Sequence, residues 1–344
     1  MKLDNHKLMY HPERVSKWLN GEPIYPIYVE ISLTSACNYR CKYCAPNFFL
    51  NYKPIYIDTN IIKKCISDMA ECGVKSIVFS GEGEPTLHKD IDEIIKYAFN
   101  CGLDIGLTTN GSMMVDKKIK KLLPYLKWIK FSVDALNSEL YSDLHGTDIK
   151  FSKIVLDNIS KVSYHKRIKH YKCIVGVQAI VLKQNIKDLP KLAKHLKYLN
   201  IDYFVMKPFS NHEKRLGNDL ELPTQEELLW LEKETKKYET DKYKIIFRNN
   251  AFENLNKPKS YDKCYGQDFV SHITTLGGVY SCVNYIGNKD YEYGNIYKQN
   301  FKDIWINKSF ILPDLKNCRS ICRIDNINRY LFELKNPDEH VNFI

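Results

Sequence analysis

Seven of the eleven cysteines fall into two groups whose spacing suits metal chemistry. The first is Cys37-Asn38-Tyr39-Arg40-Cys41-Lys42-Tyr43-Cys44, a C-x-x-x-C-x-x-C run with an aromatic residue before its last cysteine. Three thiolates on one short loop can hold three irons of a cubic 4Fe-4S cluster, leaving the fourth iron without a protein ligand. An open iron can bind a cofactor or substrate directly, as an open position does at a catalytic metal. The alternative is zinc with a distant fourth ligand. Zinc sites usually pair two C-x-x-C units or add nearby histidines, and no histidine follows within forty residues of Cys44.

The second group is Cys264, Cys282, Cys318 and Cys322. Gly277-Gly278 lies between the first two, which suits a hairpin that turns both thiols toward one centre. Four thiolates close every position of a second 4Fe-4S cluster, or of a structural zinc. The other four, Cys65, Cys72, Cys101 and Cys173, sit inside apolar patterns and read as small buried hydrophobes. An odd cysteine count without an export signal makes a disulfide framework a poor explanation.

The elements that must position these groups follow from periodicity. Short β-branched or aromatic runs at 27–33, 76–80, 104–109, 128–133, 173–182 and 202–207 alternate with amphipathic stretches at 58–72, 90–100, 115–125, 151–165 and 187–199. That alternation is the signature of βα units around a parallel sheet. Six units are too few for an eight-unit barrel, so an α/β fold with an open, partial (βα)6 barrel is expected, its active residues at the carboxyl ends of the strands. After Pro208 come a charged helix (224–240), a strand (244–249) and a loop-rich, cysteine-rich region with short strands. The division expected is an N-terminal extension over 1–25, the barrel over 26–210, a connecting helix and strand over 211–250 and a small α+β extension over 251–344.

The first cysteine loop, placed after the first strand, resembles the hallmark of the radical S-adenosylmethionine (radical SAM) superfamily. Three further stretches are similar to that family's segments: Gly81-Glu82-Gly83-Glu84-Pro85 after the second strand, Thr108-Thr109-Asn110-Gly111 after the third, and Ser132-Val133-Asp134 ending the fourth. Glu82 is an extra carboxylate in the first of them. The resemblance covers about residues 26–207. It implies that Cys37, Cys41 and Cys44 hold a 4Fe-4S cluster whose open iron chelates S-adenosyl-L-methionine, and that one electron cleaves the cofactor to a hydrogen-abstracting 5′-deoxyadenosyl radical. It also implies cofactor contacts from Tyr43, Gly81, Gly83, Glu84, Asn110, Ser132 and Asp134, and a one-electron donor such as flavodoxin or ferredoxin. The second cysteine group resembles the twitch-type relative of the SPASM domain, implying one auxiliary cluster on Cys264, Cys282, Cys318 and Cys322.

Three polar residues fall at later strand ends. Lys207 is a candidate base if burial lowers its pKa, and Gln178 and Asn185 are candidate substrate contacts. His212, Arg215 and His272 lie where a substrate could enter, and Asp325 and Arg329 could pack over the barrel mouth. An auxiliary cluster suggests an electron acceptor, so the expected reaction is oxidation or epimerisation of a carbinol carbon. A carbohydrate (sugar, nucleotide sugar or cyclitol) is expected over a peptide, because the first strand near residue 27 leaves no room for a leader-binding domain of roughly 80 residues. Peptide modification and a purely structural metal-binding protein are the alternatives.

Composition sets the outer limits. Hydrophobic residues at 44% and charged residues at 27% describe an ordinary globular chain and exclude a disordered or collagen-like one. The net charge of +10 is spread over lysine runs on helix faces, so no nucleic-acid partner is expected. The absence of an apolar run long enough to span a bilayer, or of a signal-like N-terminus, gives an expected cytoplasmic protein with no membrane partner.

Overall fold

The computed structural model describes residues 6–45, 53–209, 215–254, 257–308, 313–319 and 321–343. A helix α1 (Pro12–Leu19) precedes strand β1 (Tyr28–Ile31). Beyond the cysteine loop come α2 (Thr59–Glu71), β2 (Ser76–Phe79), α3 (Ile91–Asn100), β3 (Asp104–Thr109), α4 (Asp116–Leu122) and β4 (Trp128–Ser132). Two helices, α5 (Ser138–His145) and α6 (Lys150–Ile168), lead to β5 (Ile174–Val181), α7 (Leu189–Tyr198) and β6 (Tyr203–Pro208). The chain continues through α8 (Gln225–Lys236), β7 (Lys244–Phe247), α9 (Asn249–Glu253), β8 (Val270–Ile273), β9 (Gly278–Tyr280), β10 (Gly294–Asn295), α10 (Phe301–Ile306) and α11 (Asp325–Lys335).

Local chemistry explains several boundaries. The Asp58 carboxylate accepts from the backbone N–H groups of Asn60 (2.8 Å) and Ile61 (3.0 Å), starting α2 as an N-cap should. From there Ile62, Cys65, Ile66 and Met69 form one buried stripe, each fully buried large side chain contributing about 1.5–3 kcal/mol. Asp90, by contrast, does not cap α3; its carboxylate accepts from Thr59 Oγ1 at 2.6 Å and ties α3 to α2.

All six expected strands form and pair in parallel, and the sheet does not stop there. Its order is β10-β9-β8-β1-β2-β3-β4-β5-β6-β7. β7 adds in parallel to β6, and β8 adds in parallel to β1, with Glu30 opposite His272. β9 and β10 follow as antiparallel strands, β8 and β9 being the expected hairpin between Cys264 and Cys282. The cysteine-rich region therefore continues the barrel sheet, and among the described residues β10 and β7 are the ends of an open arc.

Alternation fixes the two faces. Ile129 and Phe131, Val175 and Val177, and Phe204 and Met206 are fully buried against the helices. Lys130, Gln178 and Lys207 alternate with them and face inward. Lower in the lumen, aromatic rings cover glycines: a Cβ on Gly106 would lie 2.4 Å from the Trp128 ring, and one on Gly176 2.0 Å from the Tyr203 ring. A second core joins the chain's two ends, with Leu8, Val15, Trp18, Ile24 and Ile27 packed on Tyr261, Tyr265, Phe269 and Leu331. No helix among the described residues is long and apolar enough to cross a membrane.

Candidate active site

The cysteine loop leaves β1 at the carboxyl end of the sheet and is clamped by the end of α5. Arg40 N–H donates to the carbonyls of His145 (3.2 Å) and Gly146 (3.1 Å), and Lys42 N–H donates to Leu144 O (3.0 Å). Gly146 sits in the left-handed region (φ +53°), where a Cβ would lie 2.2 Å from Arg40 O. Only glycine lets the helix end and the loop approach this closely. Burial pushes the Cys37 thiol up to about 11 and the Cys44 thiol up to about 12. Cys41 is pushed up as well, by burial and by the other two sulfurs, which lie close enough to oppose its charge. Three mutually interacting, desolvated thiols require a cationic partner to ionise, and the irons of a cluster fit that demand.

His145, which sequence reasoning did not single out, lies under this loop and is fully buried. Its Nδ1 is 3.5 Å from Cys41 Sγ and 3.3 Å from the Tyr43 hydroxyl, while its Nε2 accepts from Asp134 N–H at 3.3 Å. Burial lowers its pKa although Asp134, whose Oδ2 lies 3.3 Å from Nε2, opposes the shift. The Asn137 cap and Gly146 stop of α5 were the available sequence signals for the helix; a lone histidine at its end gave none for the contact.

The segments after β2 and β3 are wired to the same loop. Glu84 is 3% exposed, and its carboxylate accepts from Thr86 N–H (3.0 Å), Thr109 Oγ1 (2.7 Å) and Asn110 N–H (2.7 Å). Asn110 donates to Asn38 Oδ1 at 2.8 Å, reaching into the cysteine loop. Gly83 lies so close to that loop that a Cβ would meet Ala36 O at 2.3 Å, and one on Gly81 (φ +105°) would meet Ser32 Oγ at 1.9 Å. These contacts make a narrow backbone cradle beside the thiols, a form that suits a bound S-adenosylmethionine. Ser132 is half-buried on the inner face of β4. Asp134 is 1% exposed, with Oδ1 accepting from Ile180 N–H at 2.7 Å and Oδ2 buried 3.3 Å from His145 Nε2, so it braces β5 with one oxygen and leaves the other beside the cysteine loop.

The extra carboxylate of this segment, Glu82, has a different job. It is 2% exposed and accepts from both the N–H (2.8 Å) and the hydroxyl of Thr275, sewing the end of β2 to the β8–β9 turn. Burial raises its pKa to about 7.

The second thiol group gathers beyond that turn. Cys264 is 6% exposed, accepts from Asn328 Nδ2 at 3.7 Å and is pushed up to about 12 by burial, with Cys282 and Cys318 adding to the shift. Cys322 shares a hydrogen bond with Cys318 that holds the Cys318 thiol down and pushes Cys322 up. Among the described residues, no three His, Cys, Asp or Glu side chains are drawn together as around a single ion.

Several candidate residues have other roles. Asn185 is fully buried and spends its side chain on backbone: Nδ2 donates to Asp134 O (2.9 Å) and Ile180 O (2.8 Å), and Oδ1 accepts from Leu182 N–H (2.9 Å). It holds the turn after β5 and has no group left for substrate. Asp325 and Arg329 do not cover the barrel mouth; they pair at 2.8 Å and brace the residues around Tyr261, with Asp325 accepting from Tyr261 OH (2.8 Å) and Arg329 donating to Pro258 O (3.0 Å). His272 is a wall residue of β8, with Nδ1 3.9 Å from Glu30 Oε2, and burial drops its pKa to about 4. Arg215 lies over the Phe209 ring at 5.7 Å, and His212 is outside the described residues.

Within the lumen, Lys130 Nζ donates to Gln178 Oε1 at 2.9 Å. Burial lowers the Lys130 pKa to about 7, with the Lys207 and Arg248 charges contributing to the shift. Lys207 is lowered to about 8 by burial and by Arg248, with Asp134 opposing. On the opposite wall, Glu30 is engaged by Arg323, Tyr28 and Ser80. Arg323 directly follows Cys322, so this contact joins the lumen to the second thiol group.

An open parallel arc, a three-thiol loop at its carboxyl end and a four-thiol extension on its edge define a class of enzyme. The chain belongs to the Radical SAM superfamily, whose profile matches residues 31–196, and carries a SPASM iron-sulfur cluster-binding domain over residues 264–325. Radical SAM domains bind a 4Fe-4S cluster and S-adenosylmethionine, and SPASM domains bind auxiliary iron-sulfur clusters. Among curated relatives, the tungsten-containing aldehyde ferredoxin oxidoreductase cofactor-modifying protein of Pyrococcus furiosus is 23% identical over 85% of this chain and 86% of its own. The GTP 3′,8-cyclase of Vibrio atlanticus (30% identical) and the PqqA peptide cyclase of Bradyrhizobium diazoefficiens (27% identical) match 49% and 52% of this chain. The chain spans only 50% and 47% of those two proteins. Streptococcus suis SuiB, solved with its precursor peptide SuiA, shares the fold at a TM-score of 0.65 and 17% identity, over 92% of this chain and 75% of its own.

Proposed function

We propose that this protein is a two-cluster radical SAM enzyme that modifies a peptide substrate. Cys37, Cys41 and Cys44 hold the cluster that binds S-adenosylmethionine, and Cys264, Cys282, Cys318 and Cys322 hold the auxiliary cluster. When bound, cluster and cofactor together supply a hydrogen-abstracting radical. The protein's own groups do the rest: Gly81 and Gly83 keep the cradle narrow, Glu84 and Asn110 fix the loops around it, and His145 packs its Nδ1 against Cys41. Lys207, its ammonium weakened to about 8, can release its own proton and then, as the free amine, take one from substrate.

The observation that carries this reading is the pair of thiol groups on one continuous sheet, one at its carboxyl end and one flanking its β8–β9 hairpin. The peptide assignment draws on the peptide cyclase relative and on the fold shared with SuiB. The expected oxidation or epimerisation of a carbohydrate finds no comparable support. A second reading, modification of a cofactor, is favoured by the end-to-end likeness to the Pyrococcus protein.

The test is mass spectrometry of the reconstituted enzyme's products from pools of short peptides, nucleotides and sugars, with S-adenosylmethionine and dithionite. A peptide that loses two hydrogens is the expected result. A changed nucleotide or sugar with every peptide intact would overturn the assignment.

A further inference from the structure

We propose that Asn328 is a positioning residue of the second metal centre: its amide donates a hydrogen bond to the Cys264 thiolate once that sulfur carries iron, and so makes the auxiliary cluster easier to reduce. This rests on the reading that Cys264 is a ligand of that cluster, and adds a residue that sets the cluster's electron affinity.

Asn328 lies on the buried face of α11 with Asp325 and Leu331, and it is 1% exposed. An amide in such a stripe destabilises the fold unless both its ends find partners. The oxygen has one: Oδ1 accepts from the Gly266 N–H at 2.6 Å. That bond also fixes which end of the amide is which, since the N–H of Gly266 must face an oxygen. Nδ2 is left directed at Cys264 Sγ, 3.7 Å away. Gly266 permits the approach, because a Cβ there would stand 3.2 Å from Asn328 Oδ1 and 2.9 Å from Ile327 Cγ2. The helix itself is anchored to another ligand of the group. Asp325 N–H donates to Cys322 O at 3.2 Å, and one turn on, Asn328 N–H donates to Ile324 O at 2.9 Å. The donor thus comes from the segment that follows Cys322 and reaches a thiol that the chain supplies before β8.

The chemistry of the acceptor decides what this contact does. A neutral thiol is a weak acceptor and compensates a buried amide N–H poorly, whereas a thiolate makes a charge-assisted hydrogen bond. Cys264 is only 6% exposed, and burial pushes its thiol up to about 12, so a thiolate exists there once a metal replaces the proton. The Asn328 amide therefore suits the metal-bound sulfur better than the free thiol. Reduction adds a negative charge to an iron-sulfur cluster, and that charge spreads onto its sulfur ligands. A hydrogen bond to one of those sulfurs stabilises the reduced form and raises the potential. Donation from Asn328 thus favours arrival of an electron at the second centre, as an electron acceptor needs.

The experiment is an anaerobic redox titration of the reconstituted full-length protein, followed by electron paramagnetic resonance with S-adenosylmethionine bound. The auxiliary signal is the one retained by the Cys37→Ala/Cys41→Ala/Cys44→Ala variant. Asn328→Leu is expected to lower the auxiliary midpoint, making reduction about tenfold harder, or about 59 mV for one electron. Asn328→Asp keeps the acceptor for Gly266 but turns a carboxylate oxygen toward the sulfur, so its midpoint falls further. Asn336→Asp makes the same charge change at the exposed end of α11 and is expected to match wild type. Wild type labelled with nitrogen-15 at the asparagine side-chain amides supplies a readout that needs no variant to fold: pulsed resonance of the reduced auxiliary cluster is expected to show a coupled amide nitrogen. An auxiliary midpoint unmoved in Asn328→Asp, or no amide coupling in the labelled wild type, would overturn the proposal. Cys264→Ala checks the ligand assignment separately. If the auxiliary signal survives in that variant, the assignment falls and the role of Asn328 with it; a lost signal there beside an unmoved midpoint in Asn328→Asp overturns the role of Asn328 alone.

Discussion

Glu82 shows how a residue that reads as part of a cofactor loop can be a structural rivet. Its carboxylate is buried on Thr275, and its folded pKa of about 7 lies above the ordinary value of 4.5. A raised carboxyl pKa means the folded state favours the protonated form. The stability it contributes is full below pH 4.5 and is lost as pH rises toward 7. The difference amounts to about 3 kcal/mol across that window. Glu82→Gln is therefore expected to be more stable than wild type at pH 8 and nearly equal to it at pH 5, read from denaturant unfolding of both proteins; parallel pH profiles would refute the assignment. The residues legible in the sequence were those with a local spacing: the two thiol groups, and the Asp58 cap. Glu82 on Thr275 and His145 on Cys41 join positions far apart in the chain, and neither partner carries a local mark of the other. Asn185 misled for the opposite reason. A polar residue just after a strand looks available, and only the fold shows that backbone consumes it.

At the scale of elements, the six strands and five of the intervening helices were legible because each keeps one period over several residues. α5 was passed over, being eight residues long and close to α6, although Asn137 and Gly146 mark both its ends. That short helix matters because its left-handed stop holds the cysteine loop. Gly146→Ala must place a Cβ against Arg40 O in a conformation that costs about 1–2 kcal/mol for a non-glycine residue even without the clash. The variant is expected to lose stability by at least that amount and to bind about one cluster less iron than wild type, measured by iron content after reconstitution. Wild-type iron content would show that the clamp is dispensable. β8 was legible as half of a hairpin but its place was not, since nothing in Val270–Ile273 says which edge it will join.

The whole molecule differs most from its sequence reading in how its parts connect. A barrel followed by a separate cysteine-rich extension was expected, and one ten-stranded sheet runs through both. β8 on β1, Glu82 on Thr275 and Arg323 on Glu30 all cross that junction, and the N-terminal helix packs on α11. Such cross-links fix the second thiol group relative to the lumen. The central claim is that the loop bearing Cys41 activates S-adenosylmethionine while the group bearing Cys264 serves a later step. The direct test is chromatographic measurement of 5′-deoxyadenosine from the iron-loaded enzyme incubated anaerobically with S-adenosylmethionine and dithionite. Wild type and Cys264→Ala should both form it, and Cys41→Ala should not. Absence of 5′-deoxyadenosine from fully loaded wild type, or its persistence in Cys41→Ala, would contradict the account.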